Sequence, residues 1–204
     1  MKSQNKKIKR KHPSTHQAAL NFFAEAGLLK RVKRSGWWVA GIKDPESVAE
    51  HSFRTAVIGY YLAYLEKVDP YLVIVMALFN DIHEARINDL HKMGHSYIDF
   101  KEAEKKVFKD QMKDLHGRLK TELTALRGAY DQQHTKESLI ARDADILECL
   151  LQAKEYFDSG HQGAKKFFKR APGFLRTKSA QKMWKEIQKW NSHAWWETVV
   201  KFER

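Results

Sequence analysis

Cysteine is all but missing from this chain, with Cys149 alone among 204 residues. That excludes an internal disulfide and any zinc site built from cysteines, and it fits a reducing compartment. Cys149 itself is expected to be a small buried apolar residue. Long apolar runs are missing too. Nothing approaches the roughly 18 consecutive apolar residues of a membrane span, and no apolar core follows the basic residues at the N-terminus, so neither insertion nor secretion is signalled. A cytoplasmic protein with no membrane partner is the expectation. Strand patterning and internal repeats are lacking as well, which leaves helices to build the fold.

Acid is missing from two stretches. Residues 1–13 hold six Lys or Arg with no Asp or Glu, and residues 159–180 hold another six on the same terms. Together they supply the whole net charge of +12, since the remainder carries 25 basic and 25 acidic residues. Charge alone therefore gives the body no nucleic-acid-binding surface, and no nucleic-acid partner is expected for it. The basic stretches read either as solvated, disordered segments or as attractors of polyanions.

What is present suits one helical domain with a proper core. Residues 1–15 are polar and aperiodic and read as a flexible basic arm. From His16, Ala18, Leu20, Phe22, Phe23, Ala26 and Leu29 recur at helical spacing and predict a first helix, and Gly36 and Gly41 mark the connection after it. Asp44-Pro45-Glu46-Ser47 reads as a helix start, with Asp44 as N-cap and Pro45 at the first helical position. Asp69-Pro70 repeats the device. It launches a helix expected to run through Phe79 and to carry Asn80, Asp81 and Glu84 on neighbouring turns of one face. Phe100–Tyr130 is predicted as a long amphipathic helix with Gly117 as the place for a break, and Lys136–Tyr156 as another, ended by Ser159-Gly160. Ser179–Phe202 is expected to be a tryptophan-rich helix packed on the body through Trp184, Ile187, Trp190, Trp195, Trp196 and Val199. The expected architecture is an all-α bundle, with residues 16–158 as its main domain and 159–204 packed on it. The tryptophan-rich helix is also the expected contact of a homodimer.

Acidic groups directly after the apolar run 72–79 are costly to bury unless they are solvated at a helix end or gathered around a cation. Three helices supply a matched set: His51, then Asn80 and Asp81, then Asp143 and Asp145. Imidazole and carboxylates drawn from different helices are what a divalent cation needs, because the ion offsets the cost of burying them. The bland reading has the same residues capping helices or pairing with lysines.

Pro45-Glu46-Ser47-Val48-Ala49-Glu50-His51-Ser52, then Ala77-Leu78-Phe79-Asn80-Asp81-Ile82-His83-Glu84-Ala85, then Asp89-Leu90, then Asp143-Ala144-Asp145-Ile146-Leu147-Glu148 through Gln152-Ala153 resemble the HD-domain phosphohydrolases. Within that superfamily the resemblance is to the 5'-deoxynucleotidase-like branch, over about residues 17 to 158. It implies the HD-domain helical bundle, a (deoxy)nucleotide or related phosphate ester as substrate, and a divalent cation (Mg²⁺, Mn²⁺ or Co²⁺) held by a His, a His-Asp pair and a distant Asp. Carried over by position, His51, Asp81 and Asp145 are the ligands, with Asp143 the weaker candidate for the last place. Glu84 then orients or deprotonates the attacking water, and Asp89 is a second acidic residue at the active site. Trp37 matches an aromatic of the substrate pocket, and Arg34 would meet the phosphate.

Asn80 departs from that pattern, standing where the pair's histidine belongs. An amide oxygen is a poorer ligand than imidazole for a transition metal, though acceptable to a hard cation such as Mg²⁺. The departure is consistent with a weakened or Mg²⁺-selective site, with a noncatalytic descendant, or with a substitution made to trap substrate. His83 is not an obvious replacement, but it lies close enough on the helix to serve. A working site would release phosphate by in-line attack of a metal-activated water, with Arg34, Lys33 or Arg54 meeting the remaining charge. The rival readings are an HD-fold protein that binds nucleotides with impaired catalysis, and a nucleic-acid-associated protein that uses its basic arm and residues 159–180.

Overall fold

The computed structural model describes residues 13–197, 199 and 200, so the expected basic arm lies outside the described residues up to position 12. The first helix, α1 (Thr15–Leu28), is capped by the Ser14 side chain, which accepts from the Gln17 amide. A single turn, α2 (Gly36–Val39), follows, then α3 (Val48–Glu66), α4 (Pro70–Phe79), the short α5 (Glu84–Ile87), α6 (Phe100–Met112), α7 (Gly117–Gln132) and the long α8 (Lys136–Asp158). The chain closes with α9 (Phe167–Arg170) and α10 (Lys178–Lys189). Among the described residues the only extended pairing is an isolated bridge between Lys33 and Ser47. The fold is all-α.

Three boundaries differ from expectation, each for a local reason. α3 starts at Val48, capped by Ser47 rather than Asp44: Ser47 accepts from the Glu50 amide, while the Glu50 carboxylate accepts from the Ser47 amide. That reciprocal box satisfies two orphan donors at once, and Pro45 is left in the preceding loop, its carbonyl accepting from Lys33. α4 begins at Asp69-Pro70 as read, but it stops at Phe79. The Asn80 carbonyl, which would have accepted from Glu84 in a continuing helix, takes an Arg127 N–H instead at 2.9 Å, and the Glu84 amide turns to the Asp81 carbonyl. The C-terminal helix ends at Lys189, because Trp190 is extended and Ser192 donates through both backbone and hydroxyl to Asp158. Trp195 is left 63% exposed, and Phe202 lies outside the described residues.

The core forms where α3, α4 and α8 meet. Leu62, Ala63, Val73, Ile140, Ala144, Leu147 and Leu150 are fully buried there, each large aliphatic chain contributing about 1.5–3 kcal/mol. Gly59 makes this approach possible, since a methyl group on it would collide with Val73. A second cluster, with Phe22, Val48, Ile82, Phe108 and Met112, lies beneath α1, α5 and α6. A third holds Trp37, Ile42, Ala153 and Ala164, with half-buried Cys149 against it. Burial pushes the Cys149 thiol pKa up, in keeping with an apolar role.

α10 lies along the second half of α8 and is fastened at both ends. At its start the fully buried Asp143 accepts from the Arg176 amide, the Thr177 amide and the Thr177 hydroxyl, at 2.9, 2.7 and 2.7 Å. At its end Asp158 holds Ser192. Asp143 is thus occupied in fastening α10. Asp143→Ala strands those donors, and a loss of about 3 kcal/mol in urea unfolding is expected. A loss below about 1 kcal/mol would contradict that role.

Candidate active site

The capping box at Ser47 fixes the first turn of α3 and sends His51 inward, where it is 1% exposed. Its Nδ1 meets a carboxylate oxygen of Glu148, on α8. Glu148 in turn accepts from Arg54 Nε and Nη2 at 3.0 and 2.8 Å, and the rest of that guanidinium is spent on Glu155 and Gln152. With Nδ1 donating to Glu148, the free face of the imidazole is Nε2, the arrangement by which an outer carboxylate orients a ligating histidine.

Nε2 faces two more carboxylates. Asp145 Oδ1, from α8, lies at 3.1 Å, and Asp81 Oδ2, from the turn after α4, at 3.6 Å. These are separations of neighbouring ligands around a cation whose bonds are about 2.1 Å. Glu84, one turn beyond Asp81, is buried, and its Oε2 has no hydrogen-bond partner. An orphan buried carboxylate oxygen beside an imidazole and two aspartates fits a divalent cation and its water. On the Nδ1 side, Glu46, His51 and Glu148 are the group of described residues whose ligand atoms all lie within 4.8 Å of one another. A cation there would have to displace Arg54 from Glu148, so the Nε2 side is the better site.

The electrostatics follow from burial among like charges. Glu84 is pushed well above the usual carboxylate range, first by desolvation and then by the charge of Asp81. Glu46 is pushed up to about 7 by desolvation and by Glu148. For Asp145 desolvation is the largest influence and opposes ionisation, but the His51 hydrogen bond and the Arg142 charge outweigh it and hold this carboxyl well below its ordinary value. Arg142 Nη1 donates to Asp145 Oδ2 at 2.9 Å, and the Tyr130 hydroxyl donates to the same oxygen at 3.3 Å. Desolvation is also the largest influence on His51 and favours its neutral form, but Glu148 and Asp145 prevail and raise it to about 10.

The structure thus gathers His51, Asp81, Glu84 and Asp145 from α3, the turn after α4, α5 and α8. Asn80 sits beside them, its side-chain amide donating to Asp81 Oδ1 at 2.8 Å. Arg34 Nη1 is 3.9 Å from Asp81 Oδ2, and Asp89 accepts the amide of the next residue, Ser35, at 2.5 Å. Trp37 is 2% exposed, packed on Tyr156 and Phe167, with its indole N–H donating to Glu46 at 3.0 Å. His83 meets Arg127 and Glu104 and stacks edge-on toward Phe100. Lys33 pairs with Asp44 at 2.7 Å. Of the cations read for phosphate contact, Lys33 and Arg54 are engaged elsewhere, and Arg34 faces the acidic cluster.

Sequence reading missed the supporting residues Glu46, Glu148, Tyr130, Arg127 and Arg142. Glu148 had a signal in its spacing: it lies three residues beyond Asp145 on one helix, as Arg54 lies three beyond His51. Tyr130 and Arg127 come from a helix whose approach to this site only the packing reveals.

The HD domain family model matches residues 26–188 of this chain. The chain is 34% identical over 153 residues to the 5'-deoxynucleotidase HDDC2 of Dictyostelium discoideum, covering 70% of this chain and 80% of that protein. It is 32% identical over 144 residues to the protein of the same name from Xenopus laevis, covering 70% and 71%. Among solved structures it is similar to a conserved hypothetical protein from Pyrococcus furiosus, with a TM-score of 0.73, 30% identity and coverage of 84% of this chain and 99% of that one. The converging His51, Asp81 and Asp145, the all-helical frame and these likenesses lead to one assignment: the chain belongs to the HD-domain family.

Proposed function

We propose that this protein is a metal-dependent phosphohydrolase that releases phosphate from the 5' position of a deoxynucleotide. The observation that carries the reading is the convergence of His51 Nε2, Asp81 and Asp145 beside the unpartnered oxygen of Glu84. The names of the similar proteins from Dictyostelium and Xenopus support the substrate class.

In this reading His51, Asp81 and Asp145 hold a divalent cation (Mg²⁺, Mn²⁺ or Co²⁺), with the Asn80 side chain offering an oxygen in place of the usual second histidine. When bound, such an ion neutralises phosphate oxygens and lowers the pKa of water. The protein's own groups do the rest. Glu148, neutralised by Arg54, keeps Nδ1 of His51 protonated and Nε2 turned to the site. Glu84, buried with its Oε2 unpartnered, orients the attacking water and, as the carboxylate, accepts its proton at Oε2. Arg34 meets the phosphate oxygens, and Asp89, bonded to the Ser35 amide, fixes the segment that carries it. Trp37 is a buried wall at this end of the site, and its hold on Glu46 positions the loop before α3. Products are a deoxynucleoside and inorganic phosphate.

Asn80 bears on the choice of metal. Replacing an imidazole nitrogen by an amide oxygen leaves His51 as the lone nitrogen in an oxygen set, which favours hard cations over softer ones. The first test is phosphate release from deoxynucleoside mono- and triphosphates with Mg²⁺, Mn²⁺ or Co²⁺ added to metal-stripped protein. Activity is expected on monophosphates with Mg²⁺ or Mn²⁺. Asn80→His is expected to raise Co²⁺ affinity at least about tenfold by calorimetric titration, while no release from either form with any metal would sink the hydrolase reading. Glu84→Gln keeps the shape of the site but removes the base, and kcat is expected to fall about 10²–10⁴-fold. Retention of more than a tenth of the activity would remove Glu84 from the mechanism.

A further inference from the structure

After Glu50, every exposed residue of α3 is aromatic or aliphatic: Phe53, Val57, Tyr60, Tyr61, Tyr64 and Leu65. Phe53 is 68% exposed and Tyr64 75%. Steps of three and four residues put the first five within roughly 100° of the helix circumference, as one stripe about 16 Å long. Apolar spacing of this kind normally marks the side that a helix turns to its own core. α3 already has such a side, with Ala56, Gly59, Leu62 and Ala63 buried in the body. The stripe is a second apolar face, and it looks outward. At about 200 Å² for a whole aromatic side chain it presents roughly 500 Å² to solvent. That is near the upper end for an apolar patch on a monomer, about 600 Å², and more than half of the about 800 Å² that each partner buries in a standard interface.

One exposed charge of each sign bounds the stripe, Glu50 before it and Lys67 after it, and the spacing is the same read from either end. Antiparallel pairing of two copies of α3 about a two-fold axis sets Phe53 opposite the partner's Tyr64 and Val57 opposite the partner's Tyr60. The same register sets Glu50 opposite the partner's Lys67. A two-fold contact needs this self-complementarity, because one patch meets its own copy, and aromatic rings with few charges are what the centre of an interface favours. Other occupants fit less well. Helices that lie on a bilayer carry a rim rich in lysine and arginine, whereas Arg54 is the one lysine or arginine of α3 and is spent on Glu148, Glu155 and Gln152. The basic residues 1–12 include Met1 and Ile8 as their only large apolar side chains, too few to cover the stripe.

We propose that this face of α3 is the contact of a two-fold homodimer, in which two copies of the helix pack antiparallel, and that the tryptophan-rich tail is not the contact. The test is sedimentation velocity on the full chain across a concentration series, with the fold of each variant checked by circular dichroism. A dimer of about 48 kDa, twice the chain's 23.9 kDa, is expected. Tyr64→Lys is expected to raise its dissociation constant at least about tenfold. Lys67→Glu, which sets two acids against each other, is expected to raise it by a smaller factor. Trp196→Lys and Tyr97→Lys, at exposed positions elsewhere, leave it unchanged. Oxidation reads the register. An equimolar mixture of Phe53→Cys and Tyr64→Cys chains is expected to form a disulfide-linked dimer, whereas either variant alone keeps its new sulfurs roughly 16 Å apart along the helices and does not. A monomer at every concentration, a dimer that Tyr64→Lys leaves intact, or one that Trp196→Lys abolishes instead would overturn the proposal. Cross-linking by either cysteine variant alone, or vesicle binding that Tyr64→Lys removes, would overturn it too.

Discussion

Carboxylates of Glu46, Asp81, Glu84, Asp145 and Glu148 crowd around a single buried imidazole, and the cost of confining that much like charge governs the rest of this structure. In a medium of low dielectric such a cluster persists only when each member is paired, protonated or coordinated. The protein uses the first two, and the proposed site supplies the third. Arg54 neutralises Glu148, and Arg142 with Tyr130 steadies Asp145. Glu84 and Glu46 are pushed toward their neutral forms. Asp81 and Asp145 are left facing Nε2 of His51, where the proposed cation would complete the balance.

The same bonds hold the helices together. Arg54 and His51 tie α3 to α8 through Glu148, so the elements that build the hydrophobic core are also those that carry His51 and Asp145. Arg127 does comparable work on the other side. By taking the Asn80 carbonyl, approaching His83 and Glu104, and lying over the Phe108 ring at 5.6 Å, it joins the end of α4 to α6 and α7. A guanidinium suits this place because its planar fork can meet several acceptors at once.

Much of the fold was legible in the chain. Apolar spacing located the helices, and Asp69-Pro70 marked a helix start correctly because no stronger cap competed nearby. At Asp44-Pro45 a better cap lay three residues on, and the Ser47–Glu50 box prevailed. The run from Asn80 to Glu84 read as continuous helix because local spacing carries no sign of Arg127, which arrives from 47 residues away. The family resemblance singled out His51, Asp81 and Asp145, and the structure brings them together. The partners that set their charge states, Tyr130 and Arg142 among them, could not be read that way, because those contacts depend on how α7 meets α8.

Gly163 lies against the Ala40 carbonyl so closely that no side chain could stand there without moving one backbone or the other. The turn bearing Trp37 and the segment after α8 are therefore matched surfaces, cut to each other at the level of a missing methyl group. Trp37 against Phe167 completes that joint. A tail grafted from another protein would fit this body only if it brought a glycine to the same spot, so the tail and the turn are constrained to evolve as one piece.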